Sequence, residues 1–245
     1  MAINTPLVLR GENPVTSWAP SQLPDAEEST LQRLQDMYAD DEFFATRLAE
    51  AIKSQEIAED EPSMDRKRRR GRDAEQLKNM MHSTSRFLTA DGGPKIAVLE
   101  AGGWDTHQNQ GNSTGSLANR LAGLDSGLAA LRDGLGSTWS DTVVAVVTEF
   151  GRTAHVNGTR GTDHGTATAA ILLGGAVNGG RVVADWPGLG KSDLYEGRDL
   201  RPTADTRGLF KGILADHLAV PDAVFSKLVF PSSDDAQPMR DLIRA

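Results

Sequence analysis

Three short stretches place carboxylate, imidazole and guanidinium groups at intervals suited to metal-assisted chemistry. They are Asp105-Thr106-His107, Glu149-Phe150-Gly151-Arg152 and the glycine-flanked Asp163-His164. Nitrogen and carboxylate oxygen without sulfur suit zinc, manganese or iron, with magnesium or calcium as further candidates. Asp105, His107, Glu149, Asp163 and His164 are therefore the candidate metal ligands. Arg152 offers a bidentate fork for an oxyanion such as phosphate or sulfate, or a salt bridge to a nearby aspartate. Each pair alone is weak, since a loop Asp is often a turn residue and a lone His often structural. His82 and His217 fall on helical patterns and read as structural, and His155, three residues beyond Arg152, reads as structural or else as an outer or substrate-contacting residue. Thr106 sits between two candidate ligands and could in principle offer a hydroxyl, but it is disfavoured as a nucleophile.

The stretches gain weight from the elements expected to carry them. Lys95 to Glu100 and Thr142 to Thr148 are short apolar runs between turn signals, which predicts buried strands. Leucines at 117, 121, 124, 128, 131 and 135 lie between them at alternating spacings of four and three, predicting an amphipathic helix. Strand, helix and strand without a hairpin signal predict a βαβ unit and a parallel sheet. The chemistry-bearing stretches then fall at the carboxyl ends of strands, where open parallel sheets bind ligands. Ala169 to Leu173 predicts another strand, Val182-Val183 an edge strand, and Asp205 to Ala219 a last helix stopped by Pro221.

Upstream, Pro6 to Leu9 reads as a short strand and residues 11–24 as an irregular, proline-rich connection. Asp25 opens a helix as N-cap, with Glu28 in the capping-box position. Leu31, Leu34, Tyr38, Phe44, Leu48 and Ile52 then give it one apolar face. A second helix carries Leu77, Met81, Thr84 and Leu88. The expected organisation is a lead-in over 1–24, a helical segment over 25–90 with a basic linker at 66–72, and an α/β part over 91–245.

Composition removes several alternatives. The 245 residues contain no cysteine, which excludes disulfides, thiolate metal sites and a thiol nucleophile. With 26 Lys+Arg against 34 Asp+Glu the net charge is −8, the wrong sign for a nucleic-acid binder. The basic run Arg66 to Arg72 is flanked by acids and reads as a solvated linker. The longest apolar stretch, Ala167 to Val177, is about half of the ~20 residues a membrane span needs. The first residues lack the three regions of a secretory signal.

The stretches Gly102 to Asn109, Val146 to Thr153 and Gly161 to Gly165, with Pro6 to Gly11 and Ser17 to Pro20, resemble the bacterial family called domain of unknown function 1501. That family is related to the alkaline phosphatases and sulfatases. The resemblance implies a three-layer α/β/α fold with a mostly parallel sheet, here the C-terminal part without the first strand or strands. It also implies metal-dependent hydrolysis of a small phosphate or sulfate ester and, for relatives, export from the cytoplasm. Position by position, Asp105 and His107 resemble the superfamily's Asp…His pair at shorter spacing. Glu149 stands for the aspartate of an Asp-His pair, with Phe150 in place of the imidazole, and His164 with Asp163 resembles a later His. The superfamily's early Asp and hydroxyl nucleophile have no counterpart in residues 1–98 and are expected upstream of Met1. The competing reading is a non-catalytic module that keeps the fold and at most one metal.

Overall fold

The computed structural model describes Val15, Ser17, Trp18, residues 26–58 and residues 72–244. The expected strand at Pro6 to Leu9, the Asp25 cap and the basic run at 66–72, apart from Arg72, lie outside these residues. Among the described residues the chain forms six α-helices and two small antiparallel sheets. This corrects the expected three-layer α/β/α fold with a mostly parallel sheet. No described helix is long and apolar enough to cross a membrane. The chain divides into two compact units, the first comprising residues up to 101 with 122–135, the second comprising 102–121 with 136–245.

In the first unit, helix α1 spans Glu28–Tyr38 and α2 spans Glu42–Ala58. The sequence reads as one helix here because its apolar spacing runs through the break. Asp41 makes the break: its Oδ1 accepts from the Phe44 amide at 3.2 Å and its carbonyl from the Ala45 amide at 2.8 Å. A short side chain that bonds nearby backbone favours a new helix start over continuation. Helix α3 spans Arg72–Thr89, with Leu77 and Met81 buried as the spacing predicts. Helix α4 spans Ser116–Leu135. Its inward face within this unit is Gly123, Gly127, Leu131 and Leu135, not the full leucine stripe. A Cβ on Gly123 would come 2.9 Å from that of Ala74, and one on Gly127 3.3 Å from side-chain carbons of Leu77 and Met81. The missing side chains let the two helices approach closely.

Residues 95–100, expected as a buried strand, belong to no ladder, and Ile96 and Val98 are exposed. An apolar β-branched run becomes a strand only when a neighbour pairs with its backbone. None of the described residues does so.

The second unit holds both sheets. Strand β1 (Val144–Val146) pairs with β4 (Ile171–Leu173) in antiparallel register, Val144 opposite Leu173. Nested between them, β2 (Gly151–Arg152) pairs with β3 (His164–Gly165), Arg152 opposite His164. The chain thus doubles back on itself between β1 and β4, giving an antiparallel pair in place of the expected mostly parallel sheet. Val182, expected on an edge strand, is 90% exposed and unpaired.

Beneath β1 and β4, helix α5 (Thr206–Leu218) contributes Leu209 and Ile213 to a core with Leu242, against which Val143, Ala145, Leu172, Met239 and Ile243 pack. Asp205 caps α5 by accepting from the Arg207 amide at 2.8 Å, and Ala219 ends it in the left-handed conformation. The C-terminal segment crosses α5 at two glycines. The Met239 amide donates to Gly208 at 2.9 Å, and a Cβ on Gly212 would fall inside the Met239 carbonyl. The buried ammonium of Lys211 donates to the carbonyls of Ser233 and Ala236, which fixes the same segment. A short helix, α6 (Asp222–Val224), continues into a π-type turn over Phe225–Val229.

Candidate metal centre

Two loops of the second unit build the site by binding each other's backbone. The amides of Asn109 and Gln110 donate to the carbonyls of Thr159 and Arg160 at 3.0 Å each, and Thr162 donates to Thr106 at 3.3 Å. The Gln110 Oε1 accepts both the Thr106 hydroxyl at 2.8 Å and the Thr162 hydroxyl at 2.7 Å. Thr106 is buried, and its hydroxyl is engaged in that bond. Gly161 is also buried against the first loop, and a Cβ there would overlap the His107 carbonyl.

This stitching brings Asp105, His107 and His164 together, one ligand atom from each lying within 4.8 Å of the others. Asp105 Oδ1 is the meeting point. It lies 2.7 Å from His164 Nε2, 3.0 Å from His107 Nε2 and 2.6 Å from Arg152 Nη2. The other ring nitrogen of His107, Nδ1, lies 3.1 Å from Asp163 Oδ1. Both imidazole nitrogens of His107 therefore face carboxylate oxygens. A neutral imidazole has one N–H, so it can satisfy one carboxylate and points a bare lone pair at the other. A cation between His107 Nε2 and Asp105 removes that conflict, as a second ring proton also would.

The electrostatics agree with the contacts. Hydrogen bonds from His164 first and Arg152 second hold the Asp105 carboxyl below the usual carboxylate range. Asp163 is lowered likewise, by Asn157 first and His107 second. Both acids stay ionised at neutral pH and able to hold a cation. The site is open to solvent, with the side chains of Asp105, His164 and His107 59%, 48% and 39% exposed, which leaves room for water or a ligand beside a bound ion.

The remaining candidates are placed differently. Asp163 contacts His107 and lies outside the three-residue cluster. The Arg152 guanidinium is occupied internally: besides Asp105 it donates to the carbonyls of Trp104 and Thr162 at 2.9 Å each. Glu149 is exposed and, among the described residues, makes no hydrogen bond or ion pair with the cluster. Its neighbour Phe150 takes the place beside the site, stacked on the His164 ring with centroids 4.0 Å apart. His155 is exposed and contributes only its carbonyl to Thr153. The sequence reading missed Gln110, Asn157, Thr159 and Thr162, which hold the loops together. The turn-forming stretch Asn157-Gly-Thr-Arg-Gly-Thr162 was the available signal, since an Asn side chain bonding the amide two residues on is a recognised turn.

The model of a family described as a protein of unknown function, DUF1501, matches residues 13–229, and so includes every residue of the site. No curated protein and no solved structure matches the chain. Nearly the whole chain is thus accounted for by one family, and the protein belongs to DUF1501.

Proposed function

We propose that the chain holds one divalent cation on Asp105, His107 and His164, and that this centre hydrolyses phosphate or sulfate esters. The observation that carries the metal reading is the doubly opposed imidazole of His107, whose two nitrogens both meet carboxylates. Two imidazoles and one carboxylate suit zinc, manganese or iron better than magnesium or calcium, which favour oxygen ligands.

A bound cation of this kind lowers the pKa of a coordinated water and stabilises charge on the ester's oxygens. The protein's own residues do the positioning. Asp163 accepts the Nδ1 proton of His107 and leaves Nε2 bare toward Asp105, the carboxylate–histidine arrangement common around bound metals. Phe150 fixes the ring plane of His164. Arg152 anchors Asp105 and ties the backbone at Trp104 and Thr162 to it.

The buried, hydrogen-bonded Thr106 favours water over a side-chain hydroxyl as the attacking group. The same observation favours the second reading, a binding module that carries the cation without turnover. Zinc- and manganese-loaded protein should release nitrophenol from p-nitrophenyl phosphate or sulfate, and D105N should abolish the release. Stoichiometric metal without turnover of either ester would overturn the hydrolase reading and leave the binding module.

A further inference from the structure

We infer that Asn157 is a positioning residue of this centre, acting through Asp163 to fix the tautomer and ring plane of His107. The inference rests on the metal reading proposed above. Both ends of the Asn157 amide are used. Its Oδ1 accepts from the Thr159 amide at 3.0 Å, the Thr159 hydroxyl at 2.9 Å and the Gly161 amide at 3.0 Å. Its Nδ2 donates to the His107 carbonyl at 3.1 Å and to Asp163 Oδ1 at 2.9 Å.

The acceptor side is ordinary turn chemistry, which Asp or Ser would supply equally well. The donor side is not needed for a turn. It bonds the backbone of one candidate ligand and the carboxylate that orients that ligand's ring. Asp163 Oδ1 is held between the Asn157 amide and His107 Nδ1. The carboxylate therefore cannot rotate away without losing a bond, and it favours the tautomer with the ring proton on Nδ1. Nε2 is left as the free lone pair on the side of Asp105, as a metal ligand requires. Replacing Asn157 by Asp keeps the turn acceptor but sets a carboxylate against the Asp163 carboxylate and the His107 carbonyl. The loop is retained while the positioning is lost. Outer partners of this kind typically change metal affinity by about 10–100-fold.

The experiment compares the wild-type chain with N157D and N157S, the latter keeping an oxygen for the turn but too short to reach Asp163. Zinc affinity is measured by competition with a chromophoric chelator. Long-range proton–nitrogen NMR of the metal-free protein, at a pH alkaline enough to leave the ring neutral, reads the His107 tautomer. The expected result is about 10–100-fold weaker zinc binding in both variants, with loss of the single Nδ1–H signature and circular dichroism spectra like the wild type. Wild-type affinity and tautomer in a folded variant would overturn the inference. If the wild-type chain binds no zinc, the metal reading fails, while the tautomer comparison still decides the role of Asn157.

Discussion

At the scale of single residues, the site depends on small distances more than on residue types. Gly161 shows this, because its α-carbon sits where a Cβ would displace the His107 carbonyl. Gly161→Ala should therefore push His107 off its place and weaken zinc binding several-fold while leaving the chain folded, which the same chelator competition would read. Unchanged affinity would mean that His107 tolerates the shift. The sequence singled out Asp105, His107, Asp163 and His164, and the structure sets these four side chains close together. Their division of labour was not legible. Asp163 meets His107 from 56 residues away, and Arg152 meets a carbonyl 48 residues away. Such pairings are set by how two loops bind each other's backbone, which no local spacing encodes. Glu149 was read as a ligand because it follows a β-branched run; the residue beside it, Phe150, is the one that reaches His164.

At the scale of elements, caps and small residues decided more than apolar spacing did. The α1–α2 break follows from the Asp41 cap, and the α3–α4 packing from glycines that a leucine count overlooks. Helix α5 was legible almost to its ends, since the expected span Asp205 to Ala219 exceeds the observed Thr206–Leu218 by one residue at each end. Asp205→Ala should cost about 1 kcal/mol of stability at neutral pH, the usual worth of an N-cap, seen as a lower Tm. The Asp205 carboxyl is held below its ordinary value of 3.8, first by the Arg207 side chain, so its unfolded-state pKa lies above its folded one. Its contribution is then complete above about pH 3.8 and is lost as pH falls through the lower, folded value. The Tm gap between wild type and variant should close below that pH. A gap that persists in acid would show that the carboxylate is not what stabilises the helix.

At the scale of the whole molecule, the sequence supplied the family and misjudged the architecture. The runs at 95–100 and 142–148 are both short apolar stretches between turn signals, yet only the second reaches a pairing partner, through Val144 to Val146. Strand pairing is non-local, so two similar runs can differ entirely in outcome. The direction of pairing failed for a related reason. The polar, glycine-rich stretch between β1 and β4 folds into a second small ladder of its own, which brings the chain back antiparallel. The strand-end argument for the candidate site falls with the parallel sheet, and the site rests on its own side-chain contacts instead. It depends on β2, β3 and the loops that flank them, all within the second unit.

The central claim, a single cation on two imidazoles and one carboxylate, is tested most directly by cobalt titration of the purified chain followed by visible absorption. The account predicts one equivalent bound, with ligand-field bands that disappear in H107A and in H164A. No binding, or binding and bands unchanged in both variants, would contradict it.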